Sequence, residues 1–204
     1  VSTQGGLGAP ERLAAKQAEE AEKEKKRLAN ELQKLAQASA NLAGLDAGKE
    51  AEQARLTKRV PELEEEIKRL QERGLKAEGD ERARLGSEII RKQTTLKNSK
   101  DALKNLDQTY EDRRVKLTAT VKQTAGLLKQ KAKKGQLPFD EKLIDKPEAV
   151  CVTFGGAVIA VGDCYEYKGD DSGSRSSLVR ITDVNPGMRL FKYEDIAGYG
   201  FPMR

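Results

Sequence analysis

Histidine and tryptophan are absent from the 204 residues, aromatic side chains make up 4% of the chain, and cysteine occurs twice, at Cys151 and Cys164. Each shortage removes a class of chemistry. Without an imidazole, no nucleophile in the chain has a ready base beside it, and the carboxylates of the helical part read as solvated surface charges, so the sequence predicts that the protein is not an enzyme. A zinc site would lack ligands, since there is no histidine and no second cysteine pair. Asp170 and Asp171, in a loop, offer a cation only a loose contact, so no metal and no cofactor is predicted. No apolar run nears the roughly 20 residues that cross a bilayer; the longest, Ala157 to Val161, is flanked by glycines. Val1 to Gly8 lacks the basic and apolar parts of a signal peptide, which leaves room for a leader or a longer N-terminal portion upstream.

What remains is charge and aliphatic carbon. Charged residues account for 35% of the chain and hydrophobic ones for 37%, too little bulky apolar material for one round globule but well suited to long helices. Ala, Glu, Lys, Leu, Arg and Gln crowd the first two thirds, and most of the Val, Gly, Tyr and Phe follows Leu137. The reading is α+β: a short flexible N-terminus (1–9), a long antiparallel coiled-coil helical hairpin (10–134), a linker (135–149) and a small β module (150–204), either a bent sheet or an SH3-like barrel.

The hairpin is read from its seam. Pro10 and Glu11 suit a helix start, and steps of three and four pick out Ala14, Ala18, Ala21, Lys25, Leu28, Leu32, Leu35, Ser39 and Leu42. Gly44 and Gly48 predict a break over 44–48, since each glycine costs about 1 kcal/mol in a helix interior. The seam resumes at Leu56, Val60, Leu63, Ile67 and Leu70, with Pro61 predicting either a kink or a fresh helix start. Gly74 to Gly79 reads as the turn, with Asp80 capping a helix that runs uninterrupted from Glu81 to Lys134. Folding back there sets Leu70 against Leu85, Ile67 against Ile89 and Val60 against Leu96. Farther down, Leu35 meets Leu117, an offset of about three residues that a looped-out 44–48 would supply. Lys25, Lys92 and Ser99 dilute the seam, so self-association or an outside partner is expected to cover its apolar edge.

Charge is unevenly spread. Arg113, Arg114, Lys116, Lys122, Lys129, Lys131, Lys133 and Lys134 fall within a stretch free of acids, whereas 62–81 holds eight acidic residues against four basic. The basic stretch could contact an anionic partner, nucleic acid or a lipid surface, through phosphates and without base stacking, because no aromatics interleave with it. The competing reading is a solvated helix end whose lysines complement the macrodipole.

In the β module, Val150, Val152 and Phe154 alternate, Gly155-Gly156 and Gly162-Asp163 permit turns, and strands are expected over 157–161, 164–167, 178–182 and 188–193. The spacing of Cys151 and Cys164 permits a disulfide, which would favour an envelope, secreted or virion setting; the alternative is two buried thiols. Tyr199, Phe201 and Met203 either cover a sheet edge or form a protein-contact patch. Coiled-coil hairpins with small β modules occur in cell-envelope, secretion and virion assemblies, an analogy of fold alone. The predicted role is a structural or docking component, a homo-oligomer or a partner of other assembly proteins; the alternative is a basic coiled-coil module for nucleic acid or an anionic membrane surface.

Overall fold

The computed structural model describes residues 9–167 and 177–196, over which the chain is α+β. Four helices, α1 (Ala9–Ala43), α2 (Leu45–Lys76), α3 (Gly79–Lys104) and α4 (Leu106–Lys133), precede two 3-10 turns, Glu141–Ile144 and Pro147–Ala149. Five strands follow: β1 (Val150–Val152), β2 (Val158–Ala160), β3 (Cys164–Tyr167), β4 (Ser177–Asn185) and β5 (Leu190–Asp195). Two compact units result, Ala43–Lys116 and the remainder of the chain.

In the first unit α2 and α3 form the antiparallel hairpin the seam predicts. Leu56, Leu63, Ile67, Leu70 and Leu85 are buried, as are Leu106 and Tyr110 on the returning arm. Lys92, a seam position, places its ammonium 2.6 Å from Glu66 across the hairpin, and Lys100 reaches Glu64 at the same distance. The Tyr110 hydroxyl donates to Glu52 at 2.8 Å, which raises the tyrosine's pKa, first through that bond and then through burial. The reversal is tighter than 74–79. Gly74 is still helical, Ala77 is buried with Leu70 and Leu85, and Gly79 takes φ +56, a left-handed backbone that glycine adopts without strain. Glu78, not Asp80, occupies the N-cap, without a side-chain cap bond.

Three expectations about the helices are corrected. Residues 44–48 are not looped out: only Gly44 leaves the helix, and the Gly48 N–H already bonds its carbonyl at 3.0 Å. The returning arm is not continuous, being interrupted at Asn105. Pro61 neither starts α2 nor ends it; the proline sits inside the helix on an exposed face, where the carbonyl it frees can be hydrated.

The second unit joins α1 and α4 to the β module through one core. Leu28, Leu32 and Leu35 of α1, Leu128 of α4, Ile144, Val150 and Ala160 form a single buried cluster, with Leu137, Phe139 and Leu143 packed against it. The 135–149 segment is therefore part of the core and no loose tether. The early seam positions Ala14, Ala18, Ala21 and Lys25 are exposed, so burial begins only at Leu28.

The strands make an antiparallel β1-β2 pair and an antiparallel β3-β4-β5 sheet. No closed barrel forms among the described residues. Val150, Cys151 and Val152 are all 0% exposed, because the short strand β1 is covered on both faces. Val150 joins the helical cluster, while Cys151 joins Ile159, Ile181 and Val184 in a second one.

Candidate functional site

Beyond the shared core, a side-chain amide ties the β module to α1. Gln33, 3% exposed, accepts a hydrogen bond from the Val152 N–H at 2.7 Å and donates one to the Pro186 carbonyl. A single residue thereby satisfies the end of β1 and the β4–β5 turn, two backbone groups that burial would otherwise leave without partners. The same turn is fixed from within, since Asn185 Oδ1 accepts from the Met188 N–H at 3.0 Å. Arg189 takes a left-handed backbone (φ 54), and its guanidinium lies 5.1 Å from the Phe154 ring. Nothing in the sequence pattern marked Gln33, which stands one residue off the heptad positions.

The module's polar knot lies at the β2–β3 turn. Gly162, with φ 94, lets the chain reverse so that Asp163 accepts from the Ala160 N–H at 2.9 Å and from the Tyr165 hydroxyl at 3.1 Å. Burial, the bond to Asp163 and that carboxylate's charge push the Tyr165 phenol up to about 12. This arrangement orders a turn.

Cys151 and Cys164 are both free, Cys151 buried and Cys164 exposed, so the disulfide that the spacing allows is not formed, and the alternative of two buried thiols holds for Cys151 alone. Cys151 sits on β1, opposite Ile159 and facing the core, whereas Cys164 belongs to β3 in the other sheet, opposite Arg180, with its Sγ 3.8 Å from the Gly162 carbonyl. Burial pushes the Cys151 thiol up, away from the reactive thiolate.

The basic stretch divides between the two units. In the hairpin, Arg114 pairs with Asp46 and Arg113 lies 5.0 Å from the Tyr110 ring, and Lys116 belongs to the same unit. In the other unit Lys131 reaches Glu24 at 2.9 Å and Lys129 reaches Asp145 at 2.8 Å. Lys122, Lys133 and Lys134 make no ion pair among the described residues. Several charges of the stretch are thus already matched. No group of three or more metal-ligating side chains occurs among the described residues, and no described helix is long and apolar enough to cross a membrane. Tyr199, Phe201, Met203, Asp170 and Asp171 lie outside the described residues.

Several large apolar side chains of the β module are exposed. Phe154 is 86% exposed, Met188 65% and Tyr193 59%, and Leu190 and Phe191 are also open. Phe154, read as alternating with Val150 and Val152, lies past the end of β1, where the Gly155-Gly156 turn begins, and its ring is left outside. Compared with protein-family models, with curated proteins and with solved structures, the chain matches none at a significant level.

Proposed function

We propose that this chain is a structural component of a larger protein assembly, in which the helices set spacing and the β module makes protein contacts. The observation that carries this reading is the lock between module and helices. A shared core from Leu28 to Ala160, closed by the two bonds of Gln33, holds the strands rigidly to α1 and α4 while Phe154, Met188 and Tyr193 stay exposed. A module so fixed presents its apolar side chains in a constant orientation, which lowers the entropic cost of docking. No catalytic or cofactor role is proposed, since the shifted tyrosines and the buried thiol are each engaged in holding structure.

The competing reading is a phosphate-binding face on α4, supported by Lys122, Lys133 and Lys134. It is the weaker one, because Lys129 and Lys131 are taken up by Asp145 and Glu24. Light scattering over a range of concentrations, with retention on DNA and on anionic vesicles measured in parallel, separates the two. The assembly role predicts a defined oligomer that Phe154→Ser, Met188→Ser and Tyr193→Ser together disrupt. It also predicts weak retention, unchanged when Lys129, Lys131, Lys133 and Lys134 become Gln. A wild-type monomer whose tight, salt-sensitive retention is abolished by the glutamine set would overturn it.

A further inference from the structure

Strand β5 is an edge of the β3-β4-β5 sheet among the described residues, and all of its residues are exposed. The Ile196 N–H bonds the Leu178 carbonyl at 2.9 Å, which fixes the direction of its backbone groups. Residues of an antiparallel pair alternate between those that exchange bonds with the neighbour and those that do not. Ile196, Glu194 and Lys192 therefore turn their N–H and C=O toward β4, and Tyr193 and Phe191 turn theirs outward. The bulge between Ile181 and Asp183 leaves Thr182 of β4 without a partner, so the alternation along β5 is unbroken. Phe191 and Tyr193 extend the core face, opposite Val184 and Ile181. Lys192 and Glu194 lie on the other face, 3.1 Å from Asp183 and 3.6 Å from Arg180.

We propose that a second copy of this chain adds its β5 antiparallel to this edge, about a two-fold axis through Tyr193, so that two modules share one continuous sheet. The proposal rests on the assembly role above and names its partner. Charge complementarity selects both partner and register. An axis at Tyr193 makes the two tyrosines a bonded pair, each N–H meeting the other's carbonyl. It sets Lys192 opposite Glu194 of the second copy at a non-bonded position, where side chains stand closest. Across the four strands the charges then run Asp183, Lys192, Glu194, Arg180, alternating in sign, and symmetry repeats the row.

Neighbouring registers fail this test. An axis at Lys192, Glu194 or Asp195 sets a residue against its own charge, and one at Phe191 sets Lys192 against Leu190. A lysine on a sheet edge ordinarily blunts pairing; here Glu194 two residues on supplies the matching charge, so the pair chooses a register instead of blocking association. On the core face the same axis sets the two Tyr193 rings side by side, with each Phe191 diagonal to the other copy's Tyr193 and opposite its Asp195, covering aromatic side chains that are 39% and 59% exposed in the single chain.

Charge reversal tests the register directly. Lys192→Glu leaves two acids on the edge and Glu194→Lys leaves two lysines, so each variant repels itself, while in an equal mixture an acid meets a lysine at both cross-copy positions. In sedimentation velocity each variant alone should weaken self-association by about tenfold or more, and the mixture should recover it. Recovery also shows that both variants are folded. Hydrogen exchange should show the Phe191 and Tyr193 amides of the wild type gaining protection as concentration rises, with the Lys192 and Glu194 amides unchanged. Variants that associate like the wild type, a mixture that stays apart, or exchange at Phe191 and Tyr193 that ignores concentration each overturn the pairing. If association survives both charge variants yet is lost in the Phe154, Met188 and Tyr193 serine variant, the β5 register falls and the assembly role stands. A wild type that is monomeric at every concentration removes both.

Discussion

Gln33 uses both ends of its amide on backbone groups of the β module, so its removal is felt twice. Gln33→Ala leaves the Val152 N–H and the Pro186 carbonyl in a buried place without partners, and denaturant unfolding should show a loss of about 2–4 kcal/mol. Gln33→Glu keeps an acceptor for Val152 and loses the donor to Pro186, adding a buried charge, so it should be no milder. Tyr165 gives a residue-scale prediction in pH. Its phenol is held up near 12 against an ordinary value of 10.0, so the protonated form is favoured by folding. The corresponding stability is intact below pH 10 and drains away as pH climbs from 10 toward about 12. Tyr165→Phe should flatten that part of a pH–stability curve, and an unaltered slope would show that the shift has no energetic weight.

At the scale of elements, the hairpin of α2 and α3 depends on a thin seam, and Leu63, fully buried, stands in the middle of it. Leu63→Ala should cost about 2–3 kcal/mol, toward the low end for a buried leucine because so narrow a core can partly close over the gap. Amide exchange across 45–104 should rise accordingly. Pro61 points the other way. Its helix tolerates it on an exposed face, so Pro61→Ala should stabilise the hairpin, by about 1–3 kcal/mol in thermal unfolding.

These two residues also show what the sequence could and could not convey. Leu63 was legible because leucine at steps of three and four has one physical use on a polar helix, and nearly every seam position from Leu28 onward is at least half-buried. Of the two readings of Pro61, the fresh helix start fails because the proline's cost is local while the packing that offsets it is spread over the whole helix. Asn105 gave no warning, being only mildly unfavourable to helix. The strand positions were readable from β-branched residues between glycine turns. The faces of β1 were not, since alternation cannot tell one buried face from two. The hold of Gln33 on Pro186 is written in no local pattern, since the two residues stand more than a hundred positions apart.

For the molecule as a whole, the association test carries the most weight, because mass against concentration speaks to the assembly role and the charge-reversal mixture speaks to its geometry. Salt offers a further check. If the row of alternating charges contributes, raising ionic strength from low to physiological should weaken self-association modestly, by less than about tenfold, since exposed pairs are screened while the paired backbone and the aromatic side chains are not.

The core that unites Leu28, Leu32 and Leu35 with Leu128, Ile144, Val150 and Ala160 spans most of the chain's length. During synthesis the residues from Ala43 to Lys116 can fold as soon as they emerge, because their contacts are local. The first helix must wait. Until the ribosome has released the strands that complete its core, three leucines of α1 stand open to water, and it is in that interval that a nascent chain would need a chaperone's protection.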